Sequence, residues 1–222
     1  MAVRLPARRL TALLIAAGLA GGCTQGGFLT WEPDTEAERA MREKSEALQA
    51  TVGEGALAGF GLGAVVGGLL GGTEGAFRGA QIGRLLGAGA GAYVAQLQRE
   101  YATREEVLEA VARDIEATNA ALAATIADMQ KVLEERRAAL AAARRDAAAL
   151  ERQRARTRRS LAEMEGAIEA ASRREAFFGE ARTLLVVEAS AGDTAPLDPG
   201  LERLRARIGA MREIAELLAR EL

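Results

Sequence analysis

Ten glycines recur at an unbroken spacing of four: Gly55, Gly59, Gly63, Gly67, Gly71, Gly75, Gly79, Gly83, Gly87 and Gly91. An ordinary soluble helix does not carry such a run, because each glycine in a helix interior costs about 1 kcal/mol relative to alanine. The spacing puts successive glycines on nearly one helix face. A face without side chains lets another backbone approach closely, which is how helices pack in lipid, where the hydrophobic effect no longer draws them together. The run reads as a glycine zipper forming a helical hairpin over residues 53–92. Its first half, Ala56 to Leu70, has no polar side chain, and with its flanking glycines it reaches about 27 Å as a helix, near the minimum for a membrane span. Gly71-Gly72-Thr73-Glu74-Gly75 is the turn signal. The second half carries Arg78, Gln81 and Arg84, which at about 100° per residue form a polar stripe roughly opposite the glycines. An arginine facing lipid is costly. Three arrangements stay open: a shallowly inserted hairpin, an oligomer with a wet interior, or a hairpin buried in a protein complex.

The N-terminus says where such a hairpin goes. Arg4, Arg8 and Arg9 form a basic region, and Leu10 to Ala20 is an apolar core too short to span a bilayer. It ends in Ala20-Gly21-Gly22-Cys23, and Cys23 is the sole cysteine. This order resembles a bacterial lipoprotein signal (1–22), with Cys23 lipidated after cleavage; a lone free thiol in an exported chain would be unusual. The third residue before the cysteine is Ala20 where leucine is favoured, with Leu19 one place early.

Composition excludes several chemistries. With no histidine in the chain, imidazole catalysis and histidine-ligated metal sites are impossible, and lipidation of Cys23 removes thiolate chemistry. Cleavage would remove three arginines and no acid, taking the formal charge from -2 to -5. That balance argues against nucleic acid as a partner. No cofactor or metal is expected, and the reading is non-enzymatic.

The rest of the chain predicts an all-α fold. Residues 23–33 read as a tether, in which Phe28, Leu29 and Trp31 are placed either to rest at a membrane interface or to pack against the helices. Asp34-Thr35 caps a short helix over 34–52, with Ala37, Met41, Leu48 and Val52 as its apolar stripe. From Ala92 to Glu165 there is neither glycine nor proline, and the run is rich in Ala, Glu, Arg and Leu. This predicts one dominant helix from about Tyr93 to at least Glu165, about 110 Å long if straight, within a rod over 93–190. Nothing in the pattern fixes whether the rod runs straight or folds back in its middle. Leu108, Val111, Ile115, Thr118 and Leu122 follow one heptad-like line. After a four-residue step, Ile126, Met129, Leu133, Arg136, Leu140 and Ala143 begin another, which continues through Ala147, Leu150, Arg154, Thr157, Leu161, Met164 and Ile168. That seam is alanine-heavy and contains arginines, so it is a weak coiled coil that needs partner helices. A loop over 191–200 and a return helix over 201–222 follow. Asp198-Pro199 opens the return helix, and its seam is Leu201, Leu204, Ile208, Met211, Ala215, Leu218 and Leu222. The expected fold is a glycine-zipper helical hairpin followed by a long coiled-coil-like helix, with the C-terminal helix folded back on the line of Leu161, Met164, Ile168 and Phe178.

Two charged stretches were weighed for chemistry. Arg136 to Arg159 holds nine arginines against Asp146 and Glu151. This suits either a solvated helix surface or an anionic partner such as lipopolysaccharide, acidic phospholipid or an acidic protein face. It has no interleaved aromatics, which disfavours nucleic acid. Glu105, Glu106, Glu109, Asp114 and Glu116 are carboxylates on one stretch, but their helical spacing and basic neighbours read as a solvated face, not an acid-base pair.

A lipidation signal followed by a four-residue glycine period broken by a turn resembles the glycine-zipper two-helix lipoproteins of bacterial envelopes, including SlyB-like and rickettsial surface-antigen-like proteins. The resemblance covers Cys23 and about Val52 to Tyr93. It implies an outer-membrane lipoprotein, palmitate-type acylation at Cys23 and a hairpin that associates in the bilayer. Thr24, rather than aspartate, agrees with outer-membrane sorting. Arg78, Arg84 and the long C-terminal region depart from the family pattern. The expected partners are membrane lipid, a second copy through the zipper, and an unidentified envelope protein along the periplasmic rod. The expected function is structural or scaffolding. The rivals are a channel-forming or membrane-perturbing oligomer, and a lipid-tethered adaptor whose zipper packs inside an envelope complex.

Overall fold

Thr35 opens the first helix as its cap, its Oγ1 accepting a hydrogen bond from the Glu38 amide at 3.2 Å. The computed structural model describes residues 35–53, 89–187 and 191–222, all within one unit spanning 33–222. Cys23, the signal and tether, Phe28, Leu29 and Trp31, the zipper glycines Gly55 to Gly87 and the stripe Arg78, Gln81 and Arg84 lie outside the described residues. Every element among the described residues is helical. They are α1 (Glu36–Gly53), α2 (Ala90–Glu100), α3 (Arg104–Ala143), α4 (Ala147–Val187), a 3₁₀ segment (Ala191–Leu197) and α5 (Asp198–Ala219). No described helix is long and apolar enough to cross a membrane.

The single helix expected from Tyr93 to Glu165 is replaced by three. The first break falls at Tyr101, whose backbone is extended. Thr103 then restarts the chain with a capping box. Its side chain accepts from the Glu106 amide at 3.3 Å, and the Glu106 carboxylate accepts from the Thr103 amide at 3.0 Å. The second break is the Arg144–Asp146 turn, after which the Asp146 carboxylate accepts from the Ala149 amide at 3.0 Å. Neither break uses glycine or proline. Side-chain caps satisfy the helix-end amides instead.

Folding back supplies the cover that the heptad seam needs. α3 and α4 form an antiparallel hairpin: Arg136 approaches Gln153 near the turn, and Arg104 donates to the Leu185 carbonyl at the open end, 2.9 Å away. Leu108, Val111, Ile115, Leu122, Met129 and Leu133 are buried on α3, as are Met164, Ala167, Ala171 and Phe178 on α4. The seam therefore meets its own chain.

α5 lies on one side of this hairpin, parallel to α3 and antiparallel to α4. Asn119 donates to the Gly200 carbonyl at 2.9 Å, Arg137 pairs with Glu221 at 2.7 Å, and Arg182 pairs with Asp198 at 2.7 Å. Leu201, Leu204, Ile208, Met211, Ala215 and Leu218 are all buried as the sequence predicts. The helix starts three residues earlier than the expected 201, and Asp198 serves as an ion-pair partner instead of a cap; no side-chain cap bond is made there. The return helix thus covers both arms of the hairpin, not only the distal end of one rod. Its close approach requires Gly200: a Cβ there would lie 2.8 Å from the Ile115 Cγ2.

The opposite side is covered by α1 and α2, end to end. α1 runs antiparallel to α3, with Thr35 beside Glu135 and Lys44 beside Asp128. α2 continues in the same direction, with Tyr93 beside Asp114. Asp128 and Asp114 are about 21 Å apart along α3. Gly53 lies about 13 Å beyond Lys44, and Ala90 about 5 Å before Tyr93, so the two helix ends reach nearly the same level. The end of α1 at Gly53 and the start of α2 at Ala90 therefore lie at neighbouring levels. Gly91, the one zipper glycine among the described residues, is exposed on α2, and an added Cβ would meet nothing within 4 Å.

Candidate functional site

The junction of α1 with the hairpin is built from charged groups that the helical periodicity places inside. Thr35, Glu38, Arg42 and Ser45 fall three or four residues apart on one face of α1. Across from them stand Asp128, Glu135 and Arg136 on α3, and Ser160 and Glu163 on α4. Glu38 and Arg136 form an ion pair at 3.4 Å with side-chain exposures of 1% and 4%. Ser160 donates to the same Glu38 oxygen at 2.8 Å. Arg42 pairs with Glu163 at 3.2 Å, and Ser45 donates to the Glu163 backbone carbonyl at 3.3 Å. Lys44 pairs with the buried Asp128, which also faces Lys131 at 3.5 Å. These bonds fix the register of α1 on the hairpin more tightly than the small apolar set of Ala37, Met41, Ala47 and Leu48 does.

Burial pushes the Glu163 carboxyl above its ordinary range, against the pull of Arg42. Its proton affinity is thus higher in the folded chain than in the unfolded one. Between the unfolded value and the raised folded value, the native state holds a proton that the unfolded state has lost. The stabilisation tied to that proton is fully present below the unfolded pKa and is lost as pH rises through the folded pKa. Glu163→Gln removes this dependence. We expect the variant's stability relative to the parent to fall as pH drops from neutral toward the unfolded carboxylate range, as read by urea denaturation at several pH values. A pH-independent difference would contradict the assignment.

The arginine-rich stretch is divided by the turn. Arg136 turns inward to Glu38, Arg137 pairs with Glu221, and Arg154 pairs with Glu151 at 2.8 Å. Arg144, Arg145, Arg152 and Arg158 are exposed and make no ion pair among the described residues. Arg144 and Arg145 stand at the C-terminal end of α3, where the helix dipole favours cations.

The carboxylates weighed for chemistry are dispersed into structural roles. Glu106 closes the capping box, and the backbone bond from Thr103 holds it below its ordinary range. Glu109 pairs with Arg113, Glu116 with Arg203, and Asp114 accepts from the Tyr93 hydroxyl at 2.7 Å. Glu105 is exposed. Burial first, and Asp114 second, raise the Tyr93 phenol well above its usual range. Burial lowers the Arg174 guanidinium to about 10. No cluster of histidine, cysteine or carboxylate side chains among the described residues suits a metal ion. An open cleft between α4 and α5 is lined by Arg182, Asp198, Glu202 and Arg205, but Arg182 is already paired with Asp198, and Arg205 with Glu175 at 2.7 Å.

The sequence reading missed the buried network. Glu38 reads as a first-turn carboxylate suited to the helix dipole, and Asp128, Ser160 and Glu163 carry no reading at all. The one available signal was Arg136, an arginine at a seam position, which demands a buried acidic partner. A scan of protein-family models finds no match to this chain, and searches of curated proteins and of solved structures find no similar protein.

Proposed function

We propose that this chain is a non-enzymatic envelope lipoprotein, held at the outer membrane by acyl chains on Cys23 and by the zipper over 53–92, with its helical bundle as a periplasmic scaffold. The observation that carries the reading is the order of signal, sole cysteine, tether and ten-glycine period in the sequence. The fold is compatible with it. α1 ends and α2 begins at nearly one level, which suits an inserted hairpin whose two legs start and finish together. The described bundle has an apolar core. Two membrane signals give stable anchoring where one acyl chain is marginal. The resemblance to glycine-zipper envelope lipoproteins enters on the same residues. The scaffold's form differs from the expected rod: a folded-back bundle presents a short, broad surface.

Mass spectrometry of the purified protein tests the reading. The expected mature N-terminus is Cys23 carrying acyl chains; an unmodified thiol or a terminus elsewhere overturns it. Membrane extraction of Cys23→Ala separates the zipper's contribution. Retention after carbonate or urea treatment is expected, whereas complete release would favour the lipid-tethered adaptor.

A further inference from the structure

We propose that the turn end of the α3–α4 hairpin is an electrostatic docking surface for acidic glycerophospholipid headgroups. The proposal rests on the lipoprotein reading for its membrane, but its evidence is separate. Thr35 meets Glu135, and Arg137 meets Glu221, so α1 begins and α5 ends at about this level. Arg144 is nine residues further along, and the hairpin tip therefore projects about 13 Å past both. That projection and its base carry Arg144, Arg145, Arg152 and Arg158, all exposed and without an ion pair among the described residues. The acids at the tip are engaged: Asp146 caps α4 and Glu151 holds Arg154.

The tether enters at the same end. Cys23 precedes Thr35 by twelve residues, a reach of up to about 40 Å when extended. Arg152, Arg156, Arg159 and Glu163 recur at helical spacing, and Glu163 contacts α1. By the Glu38–Ser160 pairing α1 begins level with about Thr157, so Arg152 is the residue of this line that lies past it. Acidic headgroups are the occupant that fits. There is no aromatic residue between Tyr101 and Phe177, so bases have no stacking platform. A flat, anionic surface needs only exposed point charges, and one acyl chain plus a basic patch is an established pair of membrane signals.

The test uses the full mature chain carrying Cys23→Ala, so that acylation contributes nothing, and measures cosedimentation with phosphatidylcholine vesicles with or without phosphatidylglycerol. Insertion of the zipper would affect both vesicle types, so the readout is the ratio of the two affinities. The parent should prefer acidic vesicles, and the preference should fall with added salt. Changing Arg144, Arg145, Arg152 and Arg158 together to glutamine should reduce the ratio by about 600-fold, since each basic residue near an acidic bilayer contributes about 5-fold. The corresponding four-lysine variant should keep it, and both variants should retain the parent's helical circular dichroism. An unchanged ratio in the glutamine variant, or no preference in the parent, overturns the proposal. Failure here leaves the mass-spectrometric test of Cys23 untouched, and failure there leaves this one interpretable.

Discussion

Glu38→Ala is expected to destabilise the bundle by about 3–5 kcal/mol, because it strands the Arg136 guanidinium in a buried site. Arg136→Ala should cost a similar amount by removing the cation from the buried Glu38 carboxylate, which keeps the Ser160 hydroxyl as a donor. The pair itself is a different matter. Desolvating two charges offsets most of their attraction, so replacing both by apolar residues of similar volume, Glu38→Leu with Arg136→Met, should be near neutral or stabilising. Urea denaturation of the four proteins gives the cycle directly. The expected pattern is two large single losses and a double variant close to the parent. Single losses below about 1 kcal/mol would mean that water reaches the pair and that it behaves as a surface bridge. The order of unfolding follows from position. α1 is the element that Glu38 docks, so the single variants should release α1 before the hairpin and α5 unfold.

The elements legible in the sequence were those whose ends are marked and whose apolar line is regular. Thr35 capped α1 as read, and the seam from Leu201 to Leu218 is buried residue for residue. The breaks in the middle were harder to see, because seventy-four residues without glycine or proline dominate any propensity sum. Their marks were nonetheless present. Thr103-Arg104-Glu105-Glu106 is a capping box in spelling, and Asp146 precedes an alanine run as a cap would. A cap gives back only part of what an interrupted helix loses; folding back then adds burial of most of the α3 seam from Leu108 to Leu140 and of Met164 on α4, while Leu150, Leu161 and Ile168 stay half-buried. Local propensity cannot weigh that second contribution, since it depends on where the seam finds cover. The candidate site was less legible still. Whether Arg136 lies in water or against Glu38 depends on α1 crossing the hairpin, a long-range arrangement with no local trace. The basic tip is an intermediate case: its arginines were visible as a run, and the turn decided which of them face outward unpaired.

Phe178→Ala should cost about 3–5 kcal/mol and should act first on α2. Phe178 is 1% exposed and stands edge-on to both Tyr93 and Phe177, with ring centroids 6.4 and 5.4 Å away. Tyr93 and Phe177 complete the cluster at 5.2 Å. α2 has only 11 residues, below the length of about 12–15 at which an isolated helix becomes even marginal in water. Its order therefore comes from docking, and Tyr93, Val94 and Leu97 are its buried contacts with the hairpin. Removing the Phe178 ring leaves a cavity beneath Tyr93, and hydrogen exchange should show the amides of 93–100 losing protection ahead of those in α3 and α5. Tyr93→Phe keeps the ring and removes only the hydroxyl bond to Asp114, so it should cost less, about 1 kcal/mol. If the Phe178 variant loses stability while α2 keeps its protection, the cluster serves the α3–α4 hairpin alone. With α2 released, its start at Ala90 is no longer held near the end of α1 at Gly53.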